Sequence, residues 1–321
     1  MRAPHFFFSV VVLSTTVWTI GAAPEPGQVT LPTERVGNIF FARGAVNGPS
    51  TPLRPGALWF TLDTGANLSV LDPATAQSLH LAVSDAGRQT GVGTGAGATP
   101  LGRAGGVSVS VGTLAPFAPA TMFVVPVREM SGFLNHRIDG VLGVDFMRRH
   151  VVEFNYASGT VVFHDRRAFV YTGYAQVLPI ELQQNLLVVM ASLTMPDGEQ
   201  LPVRLLIDTG RVGRPGLNGP YVREHRLVER FGQFNHLALS QGINGATPLF
   251  RIETLALTLG DLKIDRPEVD LSQATDGLSA TQQYDGHIGS ALLSRFHMFI
   301  DFPGHRIILE KRSAANHATT D

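Results

Sequence analysis

The tripeptide Asp-Thr-Gly occurs twice in the 321-residue chain, at Asp63–Gly65 and at Asp208–Gly210. Each copy follows a strand-like apolar run, Leu58–Leu62 in the first case and Val203–Ile207 in the second. A given tripeptide of this kind should occur on the order of 0.1 times in a chain of this length, so chance is a poor explanation for the pair. We therefore expect two buried carboxyl groups at matched positions, a pattern suited to acid–base chemistry.

The surroundings of the two copies also match, which indicates an internal duplication. The Asp-Thr-Gly copies lie 145 residues apart, and the segment Gly97–Leu101 returns as Gly245–Leu249 at an offset of 148. The segment Asp139–Gly143 has its counterpart in Asp285–Gly289 at an offset of 146. A repeat of this length exceeds the roughly 20 to 50 residues of solenoid units, so it predicts two lobes.

The elements that would position these residues are mostly strands. Apolar and small polar residues alternate in Val107–Gly112 and in Leu255–Gly260, and Gly and Pro separate many other short apolar runs. Such a pattern is typical of an all-β protein. We predict few and short helices, among them Val144–Arg149 and Ser290–Phe296.

The duplication sets the expected domain bounds. We place an N-terminal lobe at residues 30–168 and a C-terminal lobe at residues 176–312, joined by a connector at 169–175. Residues 313–321 are small and polar, and we expect them to form a disordered tail.

The first 23 residues read as a secretory signal peptide. A basic start precedes the apolar stretch Phe6–Ile20, and small residues follow it. The stretch is shorter than the ~20 residues that a membrane-spanning helix needs. We expect an exported protein, periplasmic or secreted, without stable membrane insertion after cleavage.

Composition argues against several classes of function. The net charge is -1, and the sequence has no basic run that would indicate nucleic-acid binding. The absence of Cys excludes a thiol nucleophile, and the 11 His residues lack the spacing of a metal motif. We expect neither a metal nor a cofactor, a polypeptide as the partner, and a monomer.

The two Asp-Thr-Gly turns, each followed later by an element that ends in Gly143 or Gly289, resemble those of pepsin-like and retropepsin-like aspartic peptidases. The resemblance covers nearly the whole chain after the signal peptide. It implies a bilobal pepsin-like β-fold and an aspartic endopeptidase whose catalytic pair is Asp63 and Asp208. It also implies that four neighbours support the pair, with the threonines bonding across the lobes: Thr64, Gly65, Thr209 and Gly210.

The physical chemistry of two adjacent carboxyl groups fits this reading. Gly65 and Gly210 allow a close approach because neither has a Cβ. Two like charges so near each other cannot both form easily, so the pair shares one proton and titrates as a unit. The ionised partner would take a proton from a water between Asp63 and Asp208, and the protonated partner would polarise the scissile carbonyl. The sequence leaves open which Asp is the base.

Two departures from the family pattern concern substrate binding. Ala66 and Arg211 stand where pepsin-like chains place Ser or Thr. The Arg211 guanidinium would either ionise both carboxyl groups, and so remove the required proton, or point outward or bind a substrate carboxylate. The Gly-rich stretch Gly91–Gly97 is the candidate flap, with Gly93 and Gly95 as substrate contacts, but it lacks the Tyr of pepsins and so favours the retropepsin-like branch.

These departures keep two rival readings open. One rival is a catalytically silent peptide-binding protein of the cell envelope, and the other is a structural envelope protein that retains only the fold. Loss of cleavage in an Asp208→Asn variant would separate the enzyme from the first rival, and peptide affinity would separate the first rival from the second.

Overall fold

The computed structural model describes residues 27–48, 57–90, 98–231, 236–243 and 245–312. The predicted signal peptide and tail lie outside these ranges. The described part is mostly β-structure with few short helices, so the all-β prediction is confirmed. No helix in this part is long and apolar enough to cross a membrane.

Twelve strands of the described residues precede the predicted connector. In chain order, β1 to β12 are Gln28–Leu31, Thr33–Val36, Ile39–Val46, Leu58–Leu62, Val70–Leu71, Val83–Thr90, Ala98–Ala104, Val109–Val111, Met122–Val124, Gly140–Leu142, Val151–Asn155 and Thr160–His164. Residues 169–175 hold neither a strand nor a helix.

Thirteen more strands follow within the described ranges. In chain order, β13 to β25 are Gln176–Pro179, Glu181–Gln183, Leu186–Thr194, Gln200–Ile207, Gly216–Leu217, His236–Gly242, Gly245–Glu253, Ala256–Leu259, Leu262–Asp265, Glu268–Ser272, Gly286–Ile288, Phe296–Asp301 and Arg306–Lys311.

The helices are short, and a side chain caps the N-terminus of the first α-helix. The α-helices α1 to α6 are Pro73–Ser78, Ser131–Leu134, Val144–Met147, Gly219–Glu224, Leu227–Phe231 and Ser290–Leu293, and 3-10 turns lie at Val127–Met130 and Leu278–Ala280. Asp72 caps α1 by accepting a hydrogen bond from the Ala74 N–H, and Pro73 occupies the first helical position.

Two of the predicted helices extend too far at their C-terminal ends. α3 ends at Met147 and α6 at Leu293, short of the predicted Arg149 and Phe296. Phe296 instead begins β24, where it pairs with Lys311 and its ring is buried. Packing of an apolar side chain in a sheet therefore overrides the helical pattern.

Two large sheets repeat one topology. The first sheet has the order β2-β3-β4-β10-β5-β9-β7-β6, with β8 paired to β3. The second has the order β18-β19-β22-β17-β23-β16-β15-β20-β21, with β14 paired to β15. In both, the strand that ends at an Asp-Thr-Gly turn lies parallel to a short buried strand, β4 beside β10 and β16 beside β23.

A third sheet joins the two halves of the chain. Its order is β1-β12-β11-β24-β25-β13, so three strands from before the connector meet three from after it. The joining pair is antiparallel and runs from Val151 opposite Asp301 to Asn155 opposite His297. One continuous core of buried side chains draws on both halves, from Phe40 and Phe60 to Ile300 and Leu309.

Candidate active site

Asp63 and Asp208 occupy equivalent places directly after β4 and β16. The Asp63 N–H donates to the Leu142 carbonyl at 3.0 Å, and the Asp208 N–H donates to the Ile288 carbonyl at 3.0 Å. These carbonyls belong to the short buried strands β10 and β23, so each neighbouring strand fixes the start of an Asp-Thr-Gly turn. The pairing explains why an apolar element with a following glycine recurs in both halves.

The two threonines lock the turns to each other. The Thr64 N–H donates to Thr209 Oγ1 at 3.0 Å, and the Thr209 N–H donates to Thr64 Oγ1 at 3.0 Å. Each hydroxyl also donates across the interface, Thr64 to the Ile207 carbonyl and Thr209 to the Leu62 carbonyl. Both side chains are fully buried. Loss of either hydroxyl would leave buried polar groups without partners, so the lock holds the two turns in one geometry.

The glycines let the two carboxyl groups meet. A Cβ on Gly65 would lie 2.5 Å from Asp208 Cγ, and a Cβ on Gly210 would overlap the Asp63 carboxyl group. The Gly65 N–H donates to Asp63 Oδ1 at 2.7 Å, and the Gly210 N–H donates to Asp208 Oδ1 at 3.1 Å. The turn positions therefore require glycine, and they place the carboxyl groups within hydrogen-bond contact of each other.

The environment of the pair favours a single shared proton. Burial and the charge of Asp208 raise the pKa of Asp63 from 3.8 to about 8. Burial also raises the pKa of Asp208, but the positive charge of Arg211 and the hydrogen bond with Asp63 oppose that rise. Both residues remain half-buried rather than sealed, which leaves them reachable from outside. The pair therefore holds one proton in common, and the Arg211 charge favours the ionised form of Asp208 over that of Asp63.

A second pair of aspartates, Asp139 and Asp285, binds the two strands that lead into the turns. Asp139 accepts from the Trp59 N–H at 3.0 Å, and Asp285 accepts from the Arg204 N–H at 2.8 Å. Asp139 is fully buried and also accepts from Arg128 at 2.7 Å. The recurring Asp-Gly pair was visible in the sequence, but its function as an anchor for the strands that end at Asp63 and Asp208 was not assigned.

Arg211 lies beside the pair without forming an ion pair to it. Its guanidinium Nη2 is 3.3 Å from Ser240 Oγ on β18, and its Nε is buried without a hydrogen-bond partner. Among the described residues, no ion pair of 4.0 Å or less joins Arg211 to Asp63 or Asp208. The guanidinium therefore acts on Asp208 at longer range, through its charge.

The predicted flap is described only in part. Gly93 and Gly95 lie outside the described residues, between the paired strands β6 and β7. The sequence reading missed the equivalent hairpin in the second half, β18 and β19, whose pairing reaches Gly242 opposite Gly245. Ile243 at its tip packs against the apolar cluster of the first half that contains Leu101, Val125 and Val141. The repeated Gly-Ala-Thr-Pro-Leu segment was the signal that could have revealed this hairpin.

The described residues form an all-β fold built twice, with two Asp-Thr-Gly turns locked together. Residues 42–146 match the family model described as aspartyl protease, which supports the assignment of the chain to an aspartic peptidase family. A comparison with curated proteins gave no match. Among the described residues, no group of three or more His, Asp or Glu side chains is arranged to hold a metal ion.

Proposed function

We propose that this chain is an aspartic endopeptidase that uses Asp63 and Asp208 to activate a water molecule. The observation that carries the proposal is the contact between two half-buried carboxyl groups from equivalent turns. Reciprocal threonine hydrogen bonds hold these turns in place. Such preorganised acid–base pairs lower reaction barriers because their geometry is set before the substrate arrives.

The charge of Arg211 breaks the symmetry of the pair and gives each Asp a function. Asp208 is the general base, because Arg211 favours its ionised form. Asp63 is the general acid, because burial and the Asp208 charge keep it protonated. The Asp208 carboxylate takes a proton from the attacking water, and the Asp63 carboxyl hydrogen-bonds to the scissile carbonyl as negative charge develops on its oxygen. The water oxygen bonds to the carbonyl carbon, and Asp208 then gives the proton it took from the water to the amine nitrogen as the C–N bond breaks. This step restores the Asp208 carboxylate and leaves Asp63 protonated.

The substrate in this proposal is an extended polypeptide. The hairpin β6–β7 shares an apolar cluster with Ala66, and Ser240 of the hairpin β18–β19 contacts Arg211, so each hairpin lies beside the residue that follows its own Asp-Thr-Gly turn. Extended peptides bind proteins readily by strand-like pairing. Ile243 covers part of the apolar cluster of the first half. We infer that the tip of β18–β19 must move before a peptide side chain can contact that cluster.

A silent peptide-binding protein is the second candidate, and Arg211 is the observation that motivates it. A guanidinium paired directly with the dyad would ionise both carboxyl groups and remove the acid. The contact with Ser240, and the raised pKa of Asp63, favour the enzyme instead.

The test is cleavage of an unfolded protein by the wild type and by Asp63→Asn and Asp208→Asn variants at pH 4 to 7. We expect kcat/KM to fall about 100- to 10,000-fold in each variant, because general acid–base catalysis contributes on that scale. Asp265→Asn is the matched control, since Asp265 is an exposed aspartate paired with Lys263, and it should retain full activity. An inert wild type that binds the unfolded protein would overturn the proposal in favour of the silent binder.

A further inference from the structure

The two halves differ sharply in the residues that surround their Asp-Thr-Gly turns. Strand registers define the equivalent positions in the two halves. Val141 lies opposite Val70 in the first half, and His287 lies opposite Gly216 in the second. In the same way, Arg103 lies opposite Phe123, and Arg251 lies opposite Asp270. The first half has apolar residues at these places, and the second half has mostly polar ones. The replacements are Ala66 by Arg211, Val70 by Gly216, Phe123 by Asp270, Val125 by Ser272, and Val141 by His287.

These replacements create a small polar pocket next to Asp208. Its free volume is about 10 Å³, and its wall includes Arg211, Ser240, Ser272 and His287. Gly216 makes room for the imidazole, because a Cβ there would lie 2.6 Å from His287 Nε2. Arg211 and Ser240 are half-buried, whereas the other side chains of the wall are buried, so these two form the mouth.

The pocket contains a guanidinium, that of Arg211, which forms no direct ion pair with a carboxylate of the described residues. The Arg211 guanidinium contacts only the neutral Ser240 hydroxyl in the described structure, and its Nε has no partner. Asp270 is engaged elsewhere, since its Oδ1 accepts from Arg251 Nε at 2.7 Å. His287 Nε2 is also buried and unpartnered, and burial lowers the pKa of His287 so that the ring is neutral. The half-buried guanidinium is attracted by Asp208 and Asp270 only at longer range, so a carboxylate ligand in direct contact would stabilise it further.

We propose that Arg211 forms a subsite for a carboxylate side chain, Glu or Asp, at a substrate position close to the scissile bond. The subsite rests on the proposed peptidase function. The free volume holds about one water molecule and no side chain. The substrate carboxylate therefore binds the Arg211 guanidinium at the mouth of the pocket. There it replaces the 3.3 Å contact between Arg211 and Ser240.

The experiment compares library peptides that carry Glu, or its neutral isostere Gln, at each position of an eight-residue sequence. At pH 6, where the Glu side chain is ionised, we expect one position at which wild type prefers Glu by about 10- to 100-fold in kcat/KM. Arg211→Met should bring this ratio close to one. The ratio is measured within each variant, so any effect of the substitution on the Asp63–Asp208 pair cancels.

Arg214→Met is the matched control. Arg214 lies on the same loop and pairs with the exposed Glu268 at 2.5 Å, so its loss changes the net charge equally but leaves the pocket intact. This variant should keep the preference for Glu. Wild type without any Glu preference, or an Arg211→Met variant that keeps it, overturns the subsite.

A binding measurement separates failure of the subsite from failure of the peptidase. In the Asp63→Asn background, the fluorescein-labelled Glu peptide should bind more tightly than the Gln peptide, and Arg211→Met should remove the difference. Binding of this kind with an inert wild type would support the subsite and reject the peptidase. Cleavage without dependence on Arg211 would support the peptidase and reject the subsite, and the absence of both would reject both.

Discussion

One neighbouring charge distinguishes two carboxyl groups that the duplication makes otherwise equivalent. Ala66 follows the first Asp-Thr-Gly and Arg211 follows the second, so only Asp208 has a guanidinium near it. If Asp63 were the base, the positive charge would have to lie beside the first Asp-Thr-Gly turn instead of the second. The assignment of acid and base therefore depends on a single residue beside the dyad rather than on the Asp-Thr-Gly turns themselves.

The raised pKa of Asp63 predicts activity that extends to neutral pH. The acid must keep its proton, so kcat/KM should stay high up to neutral pH and decline as pH rises through about 8. A pH–rate profile on an unfolded protein substrate measures this limb. A profile that has already collapsed at pH 6 would contradict the assignment of Asp63 as the acid.

The acid side of the same profile should depend on Arg211. Activity falls at low pH when Asp208 gains a proton, and removal of the Arg211 charge raises the pKa of Asp208. We therefore expect Arg211→Met to move the acid limb to higher pH. Arg214→Met should leave that limb unchanged, and an equal shift in both variants would point to a general effect of net charge.

The sequence predicted which two aspartates meet, but it did not predict the direction in which the Arg211 side chain points. The repeated tripeptide identified Asp63 and Asp208, and the structure brings their carboxyl groups together and forms the Thr64–Thr209 hydrogen bonds. The direction of the Arg211 side chain could not be predicted, because it depends on Ser240, a residue 29 positions away on a hairpin that the pattern did not reveal. Contacts that are distant along the chain leave little trace in local periodicity.

At the scale of elements, the six-stranded sheet carries a titratable cluster that crosses between the two halves. Glu153 on β11 accepts hydrogen bonds from His164 Nε2 at 2.8 Å and from His297 Nε2 at 2.7 Å. His297 Nδ1 lies 3.0 Å from Glu310, which also accepts from the Tyr171 hydroxyl at 2.6 Å. Because Glu153 precedes the connector and His297 follows it, this cluster links the halves.

The cluster should stabilise the protein most in mildly acidic conditions. Burial raises the pKa of Glu153, but hydrogen bonds from His164 and His297 outweigh burial and lower that pKa from 4.5 to about 2. The contribution of Glu153 to stability is therefore present above pH 4.5 and is lost as pH falls towards 2. Burial likewise opposes the shift at His297, but Glu153 and Glu310 raise its pKa above 6.5. The His297 contribution is present below pH 6.5 and lost as pH rises through the raised value.

Glu153→Gln should therefore lower Tm most between about pH 4.5 and 6.5. For each kcal/mol of unfolding free energy lost, we expect Tm to decrease by about 2–4 °C. At pH 9 the decrease in Tm should be smaller. Thermal unfolding of wild type and variant across pH 3 to 9 measures the difference. Glu268→Gln, which removes an exposed ion pair to Arg214, should change Tm little at any pH. A Tm difference that does not vary with pH would rule out a contribution from these charges.

The strands of this sheet were predictable, but their partners were not. In the hairpins β11–β12 and β24–β25, two apolar runs flank a short turn that contains Gly, a pattern typical of hairpins. The pairing of β11 with β24 joins residues about 145 positions apart, and period-2 alternation says which face of a strand is buried but not which strand lies beside it. The same limit explains why the sequence indicated two lobes without indicating the sheet that both contribute to.

For the whole molecule, neither half is complete on its own. Each half supplies one Asp, one buried Thr hydroxyl of the lock, and three strands of the shared sheet. Isolated halves would expose the edges of β11 and β24 and leave the Thr64 and Thr209 partners unsatisfied. The non-covalent contacts between the halves are therefore extensive, and they do not depend on the connector.

A cut in the connector should leave the halves associated and the site intact. Phe169 and Tyr171 pack against Phe299, with ring centroids 5.8 and 5.6 Å apart, whereas Tyr174 is fully exposed. The site for a sequence-specific protease therefore belongs between Gly173 and Tyr174. After the cut we expect one species of native mass in size-exclusion chromatography, with cleavage activity within about twofold of the uncut protein. Tm should now fall on dilution, because unfolding separates two chains. Two peaks of half the mass would show that the connector, and not the shared sheet and the threonine lock, holds the site together.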